Sequence, residues 1–555
     1  MLRGFQTLVS VRSIPVPRKF LPAFLLLLAA SVMQAQTPPV AVHSSLPRPS
    51  LPSIAKKDGR YALIVDGTPY LMLGAQINNS SAWPAMLPKV WPAIDDLHAN
   101  TVEMPIYWEQ FESAPGHYDD SVMLTLLAQA RQHKIHLVLL WFGTWKNGSG
   151  HYTPAWIKQD NPRYPRVICS DGRTMDSLSP LFPATLEADR TAFTAFMRHL
   201  KAADPQHTVI MVQVENESGT WGCVRDSSPT AQKLFAGPVP AELIAGLHKQ
   251  PGTWSEVFGD DADEFFHAWY VAHFVGQVAA AGKAVYPLPM YANAAMRPAF
   301  NPRRGAYESG GPTDNVLDIW KIVAPAIDVL SPDIYTPNYD AYTRYLDEYG
   351  RANNAMFIPE TGNQPPYARY FFAAVGHGAI GFSPFGMDFT GYRNGPLADP
   401  RLDKDALAPF ALNYAIAGSM DRELAQLNFD GKLKGVSENP AEHRQTLDFG
   451  AWQAVVSYGM PQFGMGREPA GNPDPIGGAL IGELAPNQFL VTAIHARVDF
   501  NPADPGKQRQ FIRVEEGHYE NGTWHFERIW NGDQTDYGLN FMGAAQVLRV
   551  TLATY

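Results

Sequence analysis

Residues 209–217, with the sequence VIMVQVENE, form an apolar run that ends in polar residues. A short continuous apolar run of this kind is typical of a strand that is buried on both faces of a parallel sheet. Residues 357–362, FIPETG, show the same pattern further along the chain, an apolar run that ends in polar residues. Because polar side chains directly after a buried parallel strand lie at its carboxyl end, Glu217 and Glu360 are candidates for one common site.

Around these two runs, short β-rich segments alternate with longer amphipathic stretches, the pattern of parallel strands joined by helices. The eight predicted strands span residues 71–76, 101–107, 136–142, 209–214, 284–291, 327–335, 355–359 and 379–384. The clearest predicted helices span residues 121–133, 186–203, 262–282, 339–349 and 367–375. Eight such units predict an α/β fold closed as a (β/α)8 TIM barrel.

The predicted barrel domain, residues 59–427, starts with a hairpin around Asp66-Gly67 and follows a flexible, Pro- and Ser-rich segment at residues 36–58. Beyond it, strand-like runs follow one another without helical periods, and Asn521-Gly522 is a strong hairpin signal. These runs lie at residues 452–458, 479–484, 488–494, 510–515, 524–529 and 547–552. We therefore expect a small antiparallel, sandwich-like C-terminal β domain at residues 428–555.

Residues 1–35 have a different character, because four basic residues precede an apolar run at 20–33 and Ala35 offers a cleavage position. This pattern predicts a cleavable signal peptide and a periplasmic or secreted protein. The apolar run is shorter than the roughly 20 residues that a membrane-spanning helix needs, and no later run is long enough. We therefore expect no membrane anchor.

The composition narrows the class of partner. The formal net charge of −10 disfavours nucleic acids and anionic membranes as partners, whereas a neutral sugar is compatible with it. Only two cysteines are present, Cys169 and Cys223, which is too few for a Cys-rich zinc site. An oxidising compartment would let them pair, and two buried free thiols are the alternative. No nucleotide-binding loop or serine-hydrolase elbow is found, and His133 with His136 lacks further ligands, so no cofactor or metal is expected.

The carboxylate pair suits the hydrolysis of a glycosidic bond with retention of configuration. This reaction needs a protonated carboxyl that assists the leaving group and an ionised one that attacks the anomeric carbon, about 5 to 5.5 Å apart. The strand order places Glu217, the expected general acid/base, on the fourth strand and Glu360, the expected nucleophile, on the seventh. Taken singly, either residue could instead bind loop amides or pair with an arginine.

Several motifs carry a resemblance to a known family. Residues 213–217 (QVENE), Tyr107-Trp108, residues 112–116 (ESAPG) and residues 154–156 (PAW) resemble those of clan A glycoside hydrolases and, more narrowly, of glycoside hydrolase family 35. The best known members of that family are β-galactosidases, and the resemblance extends from about residue 74 to residue 388. The C-terminal region resembles the β domain of a compact bacterial branch of the family.

The resemblance implies roles for neighbouring residues. Asn216 is expected to bind the sugar 2-hydroxyl, and Tyr335 to orient the nucleophile; an Asn that orders the loop and a core tyrosine are the alternatives. Trp145, Lys146 and Asn147 are expected to form part of the sugar-binding wall. Larger family members carry Cys-Ala-Glu at these three positions, so the usual glutamate contact is missing and Asn147 is its expected replacement.

Further expectations concern the surroundings of the pair. Glu215 lies two positions before Glu217 along the strand and so faces the same side. It is expected to point into the barrel below Glu217. A disulfide between Cys169 and Cys223 would staple the loops after strands three and four over the site. One or two of four tryptophans are expected to stack on sugar rings, the candidates being Trp83, Trp108, Trp221 and Trp254.

The first functional hypothesis is therefore a retaining exo-β-galactosidase that removes terminal galactose from oligo- or polysaccharide side chains, with those of xyloglucan as one candidate. The second is a clan A hydrolase of other specificity, such as an endo-glucanase or a mannanase. The third is a carbohydrate-binding barrel without catalysis, which the retention of both carboxylates and Asn216 disfavours.

Overall fold

A computed structural model describes residues 50–392, 402–459 and 469–555, so the predicted leader at 1–35 lies outside the described residues. The described chain opens with three antiparallel strands, Ser53–Lys57, Arg60–Val65 and Thr68–Tyr70. The hairpin turn at Asp66-Gly67 is confirmed, and both residues have the positive φ of a tight primed turn (54° and 80°). The flexible segment was predicted to extend to residue 58, which is wrong for residues 53–57. They pair with Arg60–Val65, and this pairing satisfies their backbone groups.

Eight parallel strands then close into a barrel, which confirms the predicted fold class. We number them β1 to β8 in chain order: β1 Met72–Gln76, β2 Thr101–Tyr107, β3 His136–Lys146, β4 Val209–Asn216, β5 Met290–Ala295, β6 Val329–Ile334, β7 Met356–Thr361 and β8 Ala379–Pro384. Each strand pairs with its neighbours in sequence, and β8 pairs with β1. Every residue of β4 is buried, as its continuous apolar run predicted.

The fifth strand differs from its predicted bounds of 284–291. The preceding helix, Ala262–Val285, continues three residues past its predicted end, so residues 284 and 285 are helical. Pro287 and Pro289 lack the amide hydrogens that strand pairing needs, and β5 therefore begins only at Met290. This shift places Asn293 inside the strand, near its carboxyl end.

Helices surround the barrel and connect its strands. The longer ones are Leu87–Leu97, Ser121–His133, Pro183–Ala203, Ala262–Val285, Tyr339–Tyr349, Lys404–Gly418 and Asp421–Phe429. Shorter helices are Trp108–Phe111, Ala155–Lys158, Pro229–Phe235, Ala241–Gly246, Trp254–Phe258, Leu317–Val323 and Tyr370–Gly376. Among the described residues, no helix is both long enough and apolar enough to span a bilayer.

The C-terminal region forms two antiparallel sheets. The six-stranded sheet has the order Leu433–Ser437, Gly478–Ala485, Gln488–Ile494, Val547–Thr554, Arg509–Glu520 and Thr523–Ile529. The four-stranded sheet has the order Arg444–Asp448, Trp452–Tyr458, Ala496–Pro502 and Leu539–Phe541. An apolar core that joins residues of both sheets makes them a sandwich.

The strands Gly478–Ala485 and Gln488–Ile494 of the six-stranded sheet are buried on both faces, and alternate side chains along such a strand point in opposite directions. Ala479 and Ile481 belong to the sandwich core, whereas Leu480 belongs to the core of the barrel. The sandwich therefore packs directly on the barrel. The predicted boundary at 427/428 falls in the last turn of the helix Asp421–Phe429, and the first strand of the sandwich starts at Leu433.

Candidate active site

A cavity of about 530 Å³ lies at the carboxyl ends of the barrel strands. Its lining includes Glu217, which directly follows β4, together with side chains that follow β3, β5 and β6. The lining residues are Asn147, Glu217, Trp221, Ala295, Met296, Asp333, Tyr335, Thr336 and Tyr345. Glu360 lies in β7 beside Asp333, so it adjoins this cavity.

Three carboxylates meet at the cavity. One oxygen of each of Glu217, Asp333 and Glu360 lies within 4.8 Å of an oxygen of the other two, and all three residues are buried. Glu217 and Glu360 are 143 positions apart in sequence, and only the closure of the barrel brings β4 and β7 to face each other. The structure thus brings together the two residues that the sequence singled out.

Glu360 is held by one hydrogen bond to each of its oxygens. The Tyr335 hydroxyl donates to Oε1 at 2.5 Å, and the Gln76 amide donates to Oε2 at 2.8 Å. Both donors are neutral, so they orient the carboxylate and stabilise its charge without neutralising it. Tyr335 therefore contacts the residue that it was expected to orient, while Gln76, at the end of β1, was not predicted to take part.

Glu217 has an unusual backbone conformation. Its φ of 45° lies in the left-handed region, which a non-glycine residue adopts at a cost of about 1–3 kcal/mol. Its backbone is fixed from both sides: the Gly148 amide donates to its carbonyl, and its own amide donates to Asn293 Oδ1 at 3.1 Å. The strained turn after β4 is thereby locked, and the side chain reaches the cavity.

The electrostatics of Glu217 favour a protonated form near neutrality. Burial raises the pKa of Glu217 to about 7; the negative charge of Glu360 adds to this effect, whereas Lys146 and a hydrogen bond with Asp333 oppose it. A carboxyl with such a pKa can donate a proton at pH 6–7 and take one back later. Glu217 is thus suited to general acid/base catalysis.

Asp333 was seen in the sequence only as a residue of strand six. In the structure it pairs with Glu360 across β6 and β7, and its Oδ2 accepts a hydrogen bond from Asn293 Nδ2 at 2.6 Å. Burial, followed by the charges of Glu360 and Glu217, raises the pKa of Asp333 well above its ordinary value. The alternation of side chains along a strand could have identified Asp333, because it lies two positions before Tyr335 and so faces the same side of the strand.

Lys146 is the cation of this site. It is buried at the end of β3, where its ammonium donates to Asn216 Oδ1 at 2.8 Å and to Asn147 Oδ1 at 2.5 Å. Its positive charge lowers the pKa values of Glu217 and Asp333, against the effect of burial. Lys146 therefore orients both asparagines, and the Asn216 Nδ2 has no acceptor within the described part of the chain.

Trp145 does not belong to the cavity, which corrects the prediction that it forms part of the sugar-binding wall. Its indole donates to Ser177 Oγ at 3.1 Å and packs edge-on against Phe274 of the helix Ala262–Val285. Successive side chains of a strand point to opposite sides, so Trp145 faces the helices while Lys146 faces the barrel interior. Of the three predicted wall residues, Asn147 lines the cavity and Lys146 borders it.

Glu215 does not point into the barrel below Glu217. Its Oε2 accepts from the Trp145 amide at 2.7 Å, and its carboxyl group interacts with Asp189 of the helix Pro183–Ala203. Glu215 has a φ of 64°, and the pairing of β3 with β4 changes register between Trp141 and Lys146. This irregularity breaks the alternation of side chains on which the prediction depended.

A fourth buried carboxyl, Glu308, lies in the loop after β5, and no sequence pattern marked it. A Cβ on Gly148 would come within 2.9 Å of Glu308 Oε1 and 2.8 Å of the Trp221 indole. Burial and the charge of Glu217 raise the pKa of Glu308 well above its ordinary value. Its site therefore favours the protonated form and requires a glycine at position 148.

The four candidate tryptophans divide into two pairs. Trp221 is 41% exposed and lines the cavity, and Trp83 is 43% exposed and stacks on Tyr107. Trp108 and Trp254 are buried in the core. One or two stacking positions were expected, and the structure leaves Trp221 and Trp83 available for that role.

Cys169 and Cys223, for which the sequence left a disulfide and two free thiols as alternatives, form a disulfide. Cys169 lies between the short paired strands Arg166–Ile168 and Thr174–Leu178, which follow β3, and Cys223 lies two residues past Trp221. The bond therefore ties the loop after β3 to the loop that carries Trp221.

The three carboxylates at the cavity also have a spacing that could hold a metal ion. Divalent cations such as Mg²⁺ and Ca²⁺ prefer ionised oxygen ligands. Burial disfavours the ionised forms of Glu217 and Asp333, and both oxygens of Glu360 already accept hydrogen bonds. The set is therefore better suited to proton transfer and nucleophilic attack than to holding a cation.

One family model and several solved structures are similar to parts of this chain. A family model described as a domain of unknown function, DUF5597, matches residues 410–542, and no curated protein matches the chain. Solved structures that match include a β-galactosidase from Rahnella sp. R3, with a TM-score of 0.47, 16% identity, and 64% of this chain and 58% of the other covered.

Two further matches have similar scores. A β-galactosidase from the psychrophilic Marinomonas ef1 has a TM-score of 0.46, 14% identity, and 64% and 61% coverage of this and the other chain. An exo-β-1,4-mannosidase from Opitutaceae bacterium strain TAV5 has a TM-score of 0.39, 16% identity, and 68% and 63% coverage. The chain spans less than two thirds of each of these three enzymes, and likenesses at these scores do not fix an activity.

Proposed function

We propose that this protein is a retaining glycoside hydrolase that removes terminal β-linked galactose from oligo- or polysaccharide side chains. One observation carries the proposal: oxygens of Glu217 and Glu360 lie within 4.8 Å of each other at the carboxyl end of a closed barrel. Retaining enzymes hold the two carboxyl groups about 5–5.5 Å apart, whereas inverting enzymes need about 6.5–9.5 Å to admit a water molecule.

In the first step, a Glu360 oxygen attacks the anomeric carbon and forms a galactosyl ester. The bond to the leaving-group oxygen breaks, and Glu217 gives its proton to that oxygen. The two hydrogen bonds on Glu360 hold its oxygens in the attacking orientation. The pKa of about 7 keeps a large share of Glu217 protonated at neutral pH.

In the second step, Glu217 takes a proton from water, which attacks the anomeric carbon and releases Glu360. Formation of the ester removes the negative charge of Glu360, which was one cause of the raised pKa of Glu217. The pKa of Glu217 therefore falls in the intermediate, and the residue changes from acid to base. One buried carboxyl can thus serve both steps.

Contacts to the sugar follow from the unsatisfied and exposed groups of the site. Asn216 Nδ2 lacks an acceptor among the described residues, which supports a hydrogen bond to the sugar 2-hydroxyl. Asn147 and the exposed Trp221 line the cavity and offer a polar contact and an apolar stacking face. The preference for galactose is proposed from the resemblance to glycoside hydrolase family 35.

The proposal includes export to the periplasm or the medium by the predicted signal peptide at residues 1–35. The disulfide between Cys169 and Cys223 supports an oxidising compartment. Mass analysis of the protein from the periplasm or the medium tests this point, since cleavage after Ala35 would give an N-terminus at Gln36. A protein that keeps residues 1–35 in the cytoplasm would contradict it.

Azide rescue tests the roles of the two carboxylates. With an activated aryl β-galactoside, Glu360→Ala should be inactive until azide enters the vacated space and gives the α-galactosyl azide. Glu217→Ala should still form the ester, and azide should then give the β-galactosyl azide. Unchanged activity of Glu360→Ala without azide, or the same azide anomer from both variants, would show that the roles are misassigned.

A panel of nitrophenyl glycosides tests the sugar specificity. NMR early in the reaction identifies the anomer of the sugar that is first released. We expect hydrolysis of the β-galactoside with release of the β-anomer. Internal cleavage of a glucan or mannan without activity on small galactosides would support an endo-acting hydrolase instead. Binding without turnover of any glycoside would support a carbohydrate-binding barrel. Among natural polymers, xyloglucan is the first to test.

A further inference from the structure

A groove of about 810 Å³ lies between the barrel and the C-terminal sandwich. Its barrel side is formed by residues that follow β6 and β7, namely 336–340, 365, 366 and 369, and its sandwich side by residues 439–441 and 474–476. We call it the interdomain groove. β6 and β7 carry Asp333 and Glu360, so the groove begins next to the carboxylates of the cavity.

The interdomain groove adjoins the catalytic cavity directly. Thr336 lines both the cavity that contains Glu217 and the groove. A terminal sugar that fills the cavity leaves the rest of its substrate to lie outside, and the groove is the neighbouring space on the side of β6. Its 810 Å³ exceeds the 530 Å³ of the cavity itself.

The groove has a fixed shape, because several hydrogen bonds join its two sides. Arg369 Nη1 donates to the Pro475 carbonyl at 2.6 Å, and Ser437 Oγ donates to the Arg369 carbonyl at 2.7 Å. Gln445 of the sandwich donates to the hydroxyl of Tyr339 at 2.9 Å. A preformed groove binds a ligand without first paying the entropy of ordering its own walls.

Arg369 lies at the base of the groove as a buried cation. It is 3% exposed, and no carboxylate within the described residues forms an ion pair with it. Its Nη atoms donate to backbone carbonyls and to the Tyr370 hydroxyl, but its Nε finds no acceptor in the described part of the chain. A buried donor without an acceptor is unfavourable, so a ligand that brings a hydroxyl oxygen would be stabilised here.

The rest of the lining matches the surface of a sugar. Pro337, Pro440 and Tyr339 present apolar faces suited to the flat side of a sugar ring, and Asp340 and Asp474 present acceptors for hydroxyl groups. The two carboxylates would repel an anionic ligand. A neutral saccharide satisfies the donor, the acceptors and the apolar faces together.

We propose that the interdomain groove binds the saccharide on the leaving-group side of the scissile bond, so that the C-terminal sandwich takes part in substrate selection. This inference rests on the proposed glycosidase activity and assigns its substrate class: galactosides whose aglycone is itself a neutral oligosaccharide. Small galactosides fill only the cavity and gain nothing from the groove.

A blocking variant tests the proposal. Ala441 lines the groove from an exposed loop of the sandwich, and Ala441→Trp would fill the groove without touching the cavity. Ala503→Trp is the matched control, because Ala503 is an exposed alanine of the sandwich outside the groove lining. Both variants and the parent are assayed on a nitrophenyl β-galactoside and on a longer galactose-terminated neutral oligosaccharide.

We expect Ala441→Trp to lower kcat/KM about tenfold or more on the oligosaccharide, mainly through KM, and to leave the nitrophenyl galactoside unaffected. Ala503→Trp should change neither. Equal kcat/KM of Ala441→Trp and the parent on the oligosaccharide would overturn the proposal, and so would an equal loss on both substrates.

A binding measurement separates this inference from the proposed activity. The oligosaccharide without its terminal galactose is titrated into the parent and into Ala441→Trp by calorimetry. Binding to the parent that Ala441→Trp abolishes supports the groove even if no galactoside is hydrolysed, in which case the proposed function alone fails. Equal binding to both proteins, or no binding to the parent, would refute the groove.

Discussion

Asp333 and Glu360 occupy paired positions on the adjacent parallel strands β6 and β7, so their carboxyl groups emerge side by side at the end of the barrel. Two ionised carboxylates so placed in a buried site would repel each other strongly. Burial and the charge of Glu360 raise the pKa of Asp333 well above its ordinary value, whereas Glu360 is held by two neutral donors. Of the two carboxyl groups, Asp333 is therefore the one whose protonated form this site favours.

A protonated Asp333 can donate to Glu217, and this hydrogen bond lowers the pKa of Glu217. We predict that Asp333→Asn, which keeps a neutral donor, retains the pH dependence of kcat/KM. Asp333→Leu loses the donor, so the pKa of Glu217 should rise and the alkaline limb of the profile should move to higher pH. The measurement is kcat/KM on an aryl β-galactoside across pH, with thermal unfolding to check the fold. An alkaline limb that moves equally in both variants would contradict a donor role.

The alkaline limb itself is predicted from Glu217. Its acid form is the one that assists the leaving group, and the pKa is about 7. kcat/KM should therefore be highest below pH 7 and fall as the pH rises through about 7. The parent should show this limb on a galactoside whose leaving group needs acid assistance. Glu217→Gln is assayed with an activated leaving group, so that its first step proceeds without the acid, and its kcat/KM should not fall near pH 7. A limb that persists near pH 7 in Glu217→Gln would assign the titration to another group.

Several helices and strands of this fold were predictable because their apolar residues recur at the spacing typical of the element. The helices Ser121–His133 and Tyr339–Tyr349 have the predicted bounds, and the buried strands β2 and β8 do as well. The positions of Glu217 and Glu360 followed from the same regularity, since each stands where an apolar run ends. Strand order then brought them face to face.

The other residues of the site depend on local irregularities of the backbone, which the spacing of apolar residues in the sequence does not reveal. The left-handed backbone at Glu215 turns its side chain toward the helices, so the prediction that it faces the same side as Glu217 was wrong. Glu308 lies in a loop without any period, and its burial results from tertiary contacts alone. Asn293 was missed because the predicted fifth strand ended at residue 291, whereas β5 runs to Ala295.

The hydroxyl of Tyr335 is predicted to contribute to catalysis through Glu360. Tyr335→Phe removes one of the two hydrogen bonds that orient the nucleophile. A hydrogen bond to a charged group contributes about 1.5–3 kcal/mol, so kcat/KM should fall about 10- to 100-fold. Tyr342→Phe is the control, because its buried hydroxyl bonds with Thr361 and does not contact Glu360. Equal losses of activity in the two variants would indicate a general packing effect.

The disulfide is predicted to stabilise the fold and to hold Trp221 at the cavity. Cys169 and Cys223 are separated by 54 positions, and a bond that closes a loop of this kind contributes about 2–4 kcal/mol to the free energy of unfolding. A reductant should therefore lower the Tm and raise KM, because the segment that carries Trp221 loses its tether. The double variant Cys169→Ser/Cys223→Ser should match the reduced protein and be insensitive to the reductant. An unchanged Tm and KM after complete reduction would show that the bond does not support the site.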